Sequence, residues 1–110
     1  TEYQKKLDTG MQMLKTTKDY NKMVDSLMTL AYTAVLYRTI EDEKTVLIEE
    51  HQDWLEVKEK AFNFEYTKGE KIYKETGIFP EIEEMVAFGT SADLNYERVV
   101  SLAKKFRSME

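Results

Sequence analysis

The apolar residues between Tyr20 and Tyr37 recur at alternating intervals of three and four, which is the spacing of one face of an α-helix. The residues with this spacing are Tyr20, Met23, Leu27, Leu30, Ala34 and Tyr37. Their neighbours on the helical surface, which widen the apolar face, are Val24, Met28, Ala31 and Val35. The pattern predicts a long helix whose broad apolar face packs into the core.

A second long helix is predicted from about Thr45 into the sixties. One stripe of this helix mixes apolar and polar side chains: Leu47, His51, Trp54, Lys58, Ala61 and Glu65. Beside that stripe lie Val46, Val57 and Phe64. The segment 39–44 is polar and acidic. It therefore predicts a tight turn that leads into a helix N-terminus, where carboxylates are favoured by the helix dipole.

The two ends of the chain show weaker patterns. The apolar residues of segment 1–15 have helical spacing, but Gly10 interrupts it, which predicts a short or frayed helix. Asp19 is a possible N-cap of the long helix that follows, unless that helix continues through Asp19. Pro80 and the acidic residues after it predict a short helix that Gly89 ends. A last helix would then begin within 90–93. Its expected buried residues are Leu94, Val99, Leu102, Ala103 and Phe106.

These segments together predict an all-α protein. The 110 residues suit one domain, 1–110, with 42% hydrophobic and 34% charged residues. No alternation of period two predicts a strand. The expected architecture is a small bundle of three to five helices, with two long antiparallel helices and a C-terminal helix.

The formal net charge of −5 favours some partners over others. No dense stripe of lysine and arginine is present, so nucleic acid is a poor partner, whereas a basic protein would be attracted. The chain has no cysteine, which excludes disulfides and zinc–thiolate sites. No apolar run has the length of a membrane span.

Candidate chemistry is sparse. His51 is the only histidine, and no nucleophile motif surrounds a serine or threonine. We interpret His51 as a partly buried histidine with a hydrogen-bond partner. The acidic residues around it are Glu49, Glu50, Asp53 and Glu56. A di-iron helix requires Glu-x-x-His, but Ile48 stands three residues before His51, so these acids are expected to form a solvated helix face. We expect neither catalytic residues nor a metal or cofactor.

Several polar residues fall on helices that are otherwise core-like: Asp25, Tyr32, Trp54, Lys58, Glu59 and Arg98. In a bundle these side chains would converge, with Arg98 of the last helix reaching Asp25 or Glu59. Buried charges need partners. The favoured interpretation is an interhelical network that fixes the register of the helices, and the alternative is direct contact with a partner molecule. These six residues are the candidate binding residues.

The same residues carry a resemblance to the LprI-type lysozyme-inhibitor family. That family's first motif places a tyrosine seven residues after an aspartate, as in Asp25 and Tyr32, although its central leucine–asparagine pair is Met28–Thr29 here. Its second motif is glutamine, tryptophan, arginine–aspartate and cysteine. Here it reads His51, Trp54, Lys58–Glu59 and Phe62. Its third motif, a threonine and an arginine before a leucine, is matched by segment 94–102, which contains Arg98 and Leu102.

The resemblance extends over about residues 16–107. It implies a non-enzymatic binding protein of the bacterial periplasm or cell surface, and some family members are linked to lysozyme inhibition. A signal peptide or lipid anchor would then precede residue 1, and the acidic charge would suit a basic hydrolase. The alternative is an intracellular helical interaction module, such as a phage or plasmid regulator or an immunity protein, which would be cytoplasmic.

Overall fold

Three long helices form the protein. The computed structural model describes residues 2–109, without the side chains of residues 3 and 6–8. The helices are α1 (Glu2–Arg38), α2 (Glu41–Thr76) and α3 (Glu81–Ser108), and the described residues contain no strand. The predicted all-α bundle, with two long helices and a C-terminal helix, is confirmed.

Helix α1 is continuous from Glu2 to Arg38, so residues 2–15 do not form a separate short helix; of the two alternatives at Asp19, the one found is that the long helix continues through it. A glycine inside a helix costs only about 1 kcal/mol relative to alanine, and Gly10 does not interrupt α1. The helix ends at Arg38. The next residue, Thr39, is buried, and both its amide and its hydroxyl donate hydrogen bonds to the Val35 carbonyl, at 3.0 and 2.7 Å.

Helix α2 starts four residues earlier than expected, because Glu41, Asp42 and Glu43 form its first turn and suit the helix dipole. It runs through Gly69 and ends at Gly77. That glycine adopts the left-handed conformation (φ 76°), and its amide donates to the Tyr73 carbonyl at 2.7 Å. The left-handed conformation is one that glycine adopts without strain.

Helix α3 corrects a further expectation, because Gly89 does not end a helix and no new helix begins within 90–93. Ser91 and Ala92 in that segment are buried, so the segment is part of the packed interior and is not a connection. Tertiary packing outweighs the local stop signal here. Of the residues expected to be buried by this helix, Leu102 is buried and Leu94 is half-buried. Val99 and Phe106 are packed against the core, and Ala103 is exposed.

Helix α3 makes most of the contacts in the bundle. It packs closely against both α1 and α2, whereas α1 and α2 meet mainly through long side chains. The paired residues Lys18–Glu84 and Arg38–Phe106 show that α1 and α3 run parallel, and α2 is antiparallel to both. The bundle is elongated and thin, with extents of 59 × 26 × 14 Å.

The core lies on one side of the predicted apolar face of α1. Val24, Met28 and Val35 are buried there, together with Leu47 of α2 and Leu102 of α3. The alternating stripe was expected in the core, and that expectation was wrong, because most of its members are exposed: Tyr20, Met23, Leu27, Leu30 and Tyr37. The apolar face of α1 is wider than the surface that α3 covers.

Within the described residues, none of the three helices contains a stretch long and apolar enough to cross a membrane.

Candidate functional site

Polar and aromatic side chains from all three helices meet near the middle of the bundle. We call this set the central cluster: Asn21, Asp25, Tyr32, Glu50, His51, Trp54, Lys58, Asn95 and Arg98. On α2, His51, Trp54 and Lys58 are three and four residues apart and therefore share the inward side of the helix. On α3, Asn95 and Arg98 are three residues apart and share its buried side.

Arg98 links α3 to α2. Its Nη1 donates to Glu50 Oε1 at 2.8 Å, and its Nη2 lies 3.1 Å from His51 Nδ1. Because a guanidinium group can only donate, Nδ1 of His51 must accept, and the proton of the neutral ring is on Nε2. The side chain of Arg98 is 8% exposed, and its buried Nε has no hydrogen-bond partner. Arg98 is thus neutralised by a half-exposed carboxylate rather than by a buried one.

An aromatic stack covers the His51 ring. Tyr32 of α1 lies parallel to it, with ring centroids 3.6 Å apart and planes 8° apart. Trp54 stacks on it at 5.5 Å. The charged groups of Arg98 and Lys58 lie 5.5 and 5.2 Å from the Trp54 ring centroid, within the range of cation–π attraction. The stack joins α1 to α2 where their backbones are far apart.

A second polar link joins all three helices. Lys58 Nζ donates to Asp25 Oδ1 of α1 at 2.8 Å and to Asn95 Oδ1 of α3 at 3.1 Å. The amide of Asn95, which is fully buried, donates in turn to Asn21 Oδ1 at 3.1 Å. Since one lysine is shared by two helices, sliding any helix along its axis would break at least one of these bonds.

The electrostatics of the cluster favour a neutral histidine. Burial lowers the pKa of His51 below its usual value, and the positive charges of Arg98 and Lys58 lower it further. The hydrogen bond from Arg98 holds the pKa of Glu50 below its usual value. At neutral pH the cluster therefore contains two cations, Arg98 and Lys58, each paired with one carboxylate.

The structure brings together five of the six candidate binding residues, and Glu59 lies apart from them on the exposed surface of α2. The expected pairing of Arg98 was wrong: it binds Glu50, while Asp25 pairs with Lys58. The interpretation of His51 as a buried histidine with a partner is confirmed.

Asn21, Glu50 and Asn95 were not predicted to belong to the polar network, and Glu50 was expected on a solvated helix face. Asn95 had a detectable signal, because it lies three residues before Arg98 on the same face of a helix.

The cluster has limited scope for chemistry. Its histidine nitrogen Nδ1 is engaged by Arg98, and the face of the ring is covered by Tyr32. Among the described residues, no three or more His, Asp or Glu side chains stand close enough to hold a metal ion together. The arrangement is suited to holding helices in register.

A second candidate surface lies on the outer side of α2, away from the core. We call it the acidic stripe: Asp42, Glu49, Asp53 and Glu56. These residues are seven, four and three positions apart, which places them on one side of the helix. All four are exposed, and Glu56 pairs with Lys60 at 3.1 Å. The stripe extends over about 21 Å at 1.5 Å per residue.

Comparison of the chain with protein-family models, curated protein sequences and solved structures finds no match.

Proposed function

We propose that this chain is a non-enzymatic binding protein of the bacterial cell envelope, and that it binds a basic peptidoglycan hydrolase such as lysozyme through the acidic stripe of α2. The observation that carries the proposal is the separation of charges in the bundle. Interior cations are neutralised by carboxylates within the central cluster, while the acidic stripe faces outward. The order of the sequence motifs and the net charge of −5 support the same function.

The central cluster supports binding indirectly. It ties α2 to α1 through Lys58 and to α3 through Arg98, so the stripe is displayed on a helix that is fixed in rotation and register. In this proposal Asp25, Tyr32 and Trp54 position α2 and do not contact the partner. Of the six candidate binding residues, Glu59 is exposed on α2 near the stripe and is the one placed to contact the partner directly.

The acidic stripe mainly raises the rate at which a basic partner associates and orients that partner on α2. Segment 41–59 contains eight carboxylates and two lysines, and both lysines are paired within the protein. The field of the stripe is predominantly negative over about 21 Å and is reduced where Lys60 pairs with Glu56; it attracts a basic surface at low salt and weakens as the Debye length shrinks to about 8 Å. Binding should therefore be strongly dependent on salt concentration.

The test is a binding and activity measurement with lysozyme as the probe. We expect binding by calorimetry and slower cell-wall hydrolysis at low salt, and weaker binding when salt is added. The variant Glu49→Gln/Asp53→Gln should bind about tenfold more weakly, through a lower association rate. A matched control, Glu70→Gln/Glu75→Gln, removes the same charge from exposed positions near the other end of α2 and should bind like the wild type.

Two results would count against the proposal. One is the absence of binding and inhibition at low salt, and the other is an equal loss of affinity in the stripe variant and in the control. The proposed export has its own test, which is a signal peptide or lipid-attachment sequence encoded upstream of this segment; a start codon without one favours the cytoplasmic module instead.

A further inference from the structure

One exposed face of α1 is apolar along half of the helix. We call it the α1 outer strip: Tyr20, Met23, Leu27, Leu30, Ala34 and Tyr37. Its large side chains are between 42% exposed (Tyr20) and 86% exposed (Tyr37), and Leu30 is 68% exposed. Asp25 and Tyr32 point towards α2, whereas Met23, Leu27 and Leu30 lie on roughly the opposite side of α1 at 100° per residue. Ala34 is half-buried in a groove beside Ala103 and Phe106 of α3, whereas the five large side chains of the strip are exposed.

The strip also has no charged side chain, and its hydroxyl groups are those of Tyr20 and Tyr37 at its two ends. Between Lys22 and Arg38 the only ionisable group is Asp25, apart from the tyrosine hydroxyls, and Asp25 is paired with Lys58. The hydroxyls of the flanking residues donate to carbonyls four residues earlier in α1: Ser26, Thr29 and Thr33. These hydroxyl groups already have hydrogen-bond partners inside the helix, so covering this face with another protein would leave few buried polar atoms without a partner.

The spacing of the strip fits a second helix. Its residues follow the alternating three- and four-residue intervals of a and d positions in a coiled coil, over two and a half heptads. We propose that the α1 outer strip is the interface of a homodimer, in which the α1 helices of two copies pack antiparallel about a two-fold axis between Leu27 and Leu30.

Antiparallel pairing gives well-matched layers along this axis. Leu27 of each copy lies opposite Leu30 of the other, and Met23 lies opposite the small Ala34. Tyr20 lies opposite Tyr37 at both ends of the interface. Large residues thus meet small ones or residues of equal size, as interdigitated packing requires. The flanking residues on the strip side are mostly uncharged, so two copies would meet with little like-charge repulsion despite the net charge of −5.

Area and charge identify a second copy as the occupant. The exposed parts of the five large side chains amount to on the order of 500 Å² per copy, and the flanking residues bring the footprint to about 600 Å², the low end for a specific interface. An uncharged strip gains nothing from a charged partner; it matches another uncharged apolar strip of equal length. An anionic membrane is a poor alternative, because the chain is acidic and few cations lie near the strip: Lys22 lies beside Asp19 along its edge, and Arg107 of α3 lies near Ala34.

The first test is the molecular mass in solution as a function of concentration, by sedimentation equilibrium. We expect the 13.0 kDa chain to change reversibly from monomer to dimer between about 1 and 200 µM. Leu30→Glu should remain monomeric throughout this range, with an unchanged helical spectrum because Leu30 is exposed. The matched control Val57→Glu places the same charge at a similarly exposed position on α2 and should dimerise like the wild type.

The orientation can be tested because the chain has no cysteine. A mixture of Met23→Cys and Ala34→Cys proteins should form the mixed disulfide under mild oxidation, and Met23→Cys alone should not cross-link. A wild type that stays monomeric at about 200 µM, or a dimer that Leu30→Glu leaves intact, would overturn the proposal. Efficient cross-linking of Met23→Cys to itself would contradict the antiparallel arrangement. These outcomes do not depend on lysozyme binding, since the acidic stripe lies on another helix.

Discussion

Replacing Arg98 with alanine removes the link between α3 and α2 at the centre of the bundle. The change deletes the hydrogen bond to Glu50 and the one to His51, and it leaves a cavity where the 8% exposed side chain had packed. It also leaves His51 Nδ1 buried without a donor. We therefore expect a loss of stability much larger than that of a surface substitution.

The magnitude follows from three contributions. An unsatisfied buried acceptor at His51 costs about 1–3 kcal/mol. The lost ion pair with Glu50 contributes about 1 kcal/mol or less, because that carboxylate is 54% exposed and becomes hydrated again. The loss of the buried methylenes of Arg98 costs about 0.8 kcal/mol each. Part of the total loss of stability is offset, because the variant no longer buries a charged guanidinium whose Nε has no hydrogen-bond partner. We expect a net destabilisation of about 3 kcal/mol.

The assay is urea denaturation followed by circular dichroism, with two comparison variants. Arg98→Met keeps the packing of the stem and should lose only about 1–2 kcal/mol. Glu50→Gln should lose less than 1 kcal/mol, because the exposed carboxylate contributes little. Two results would show that Arg98 does not stabilise the bundle in this way. One is a free energy of unfolding for Arg98→Ala within about 0.5 kcal/mol of the wild type, and the other is a larger destabilisation by Glu50→Gln than by Arg98→Ala.

Three further predictions test other parts of the fold. Trp54→Ala should cost about 3–5 kcal/mol in a melting experiment, because the ring packs against both the core and His51; an unchanged melting curve would mean that this packing is absent. Gly69→Ala should destabilise the protein by about 1–3 kcal/mol, because a Cβ there overlaps the Phe79 ring. Gly89→Ala should stabilise it by about 0.5–1 kcal/mol, because a Cβ there meets nothing within 4 Å. A change of the same sign in both variants would contradict the packing of α2 and α3. The pKa of His51 is lower in the folded protein than in the unfolded chain, so the unfolded chain binds this proton first as the pH falls below about 6.5. The free energy of unfolding should therefore decrease between about pH 6.5 and the pKa of His51 in the folded protein. In His51→Gln this decrease should be absent from that pH window.

The fold class and the inward side of α2 were predictable from the sequence. The stripe through Leu47, His51, Trp54 and Lys58 was identified as a distinct face of that helix, and Leu47 and His51 on it are buried, whereas Val46, Val57 and Phe64 beside it are exposed. The candidate residues near the bundle centre were also predictable as a group, because each is a polar residue at a core-like position.

The rotation of α1 and the choice of ion pairs were not predictable in the same way. Two neighbouring apolar stripes on α1 fit the helical period equally well, and which one is buried depends on where α3 packs. The partner of Arg98 depends on the rotation of α2, which brings Glu50 within reach and turns Glu59 to solvent. The helix boundary expected at Gly89 failed for a related reason, since buried Ser91 and Ala92 hold that segment in the helix.

In this structure the polar groups inside the bundle satisfy one another around a neutral His51. The most direct measurement is the pKa of His51 from the pH dependence of its imidazole NMR signals, which are unambiguous because the chain has one histidine. We expect a His51 pKa below the usual value of about 6.5, with the proton of the neutral ring on Nε2. A pKa at or above 6.5, or a neutral ring protonated on Nδ1, would contradict it.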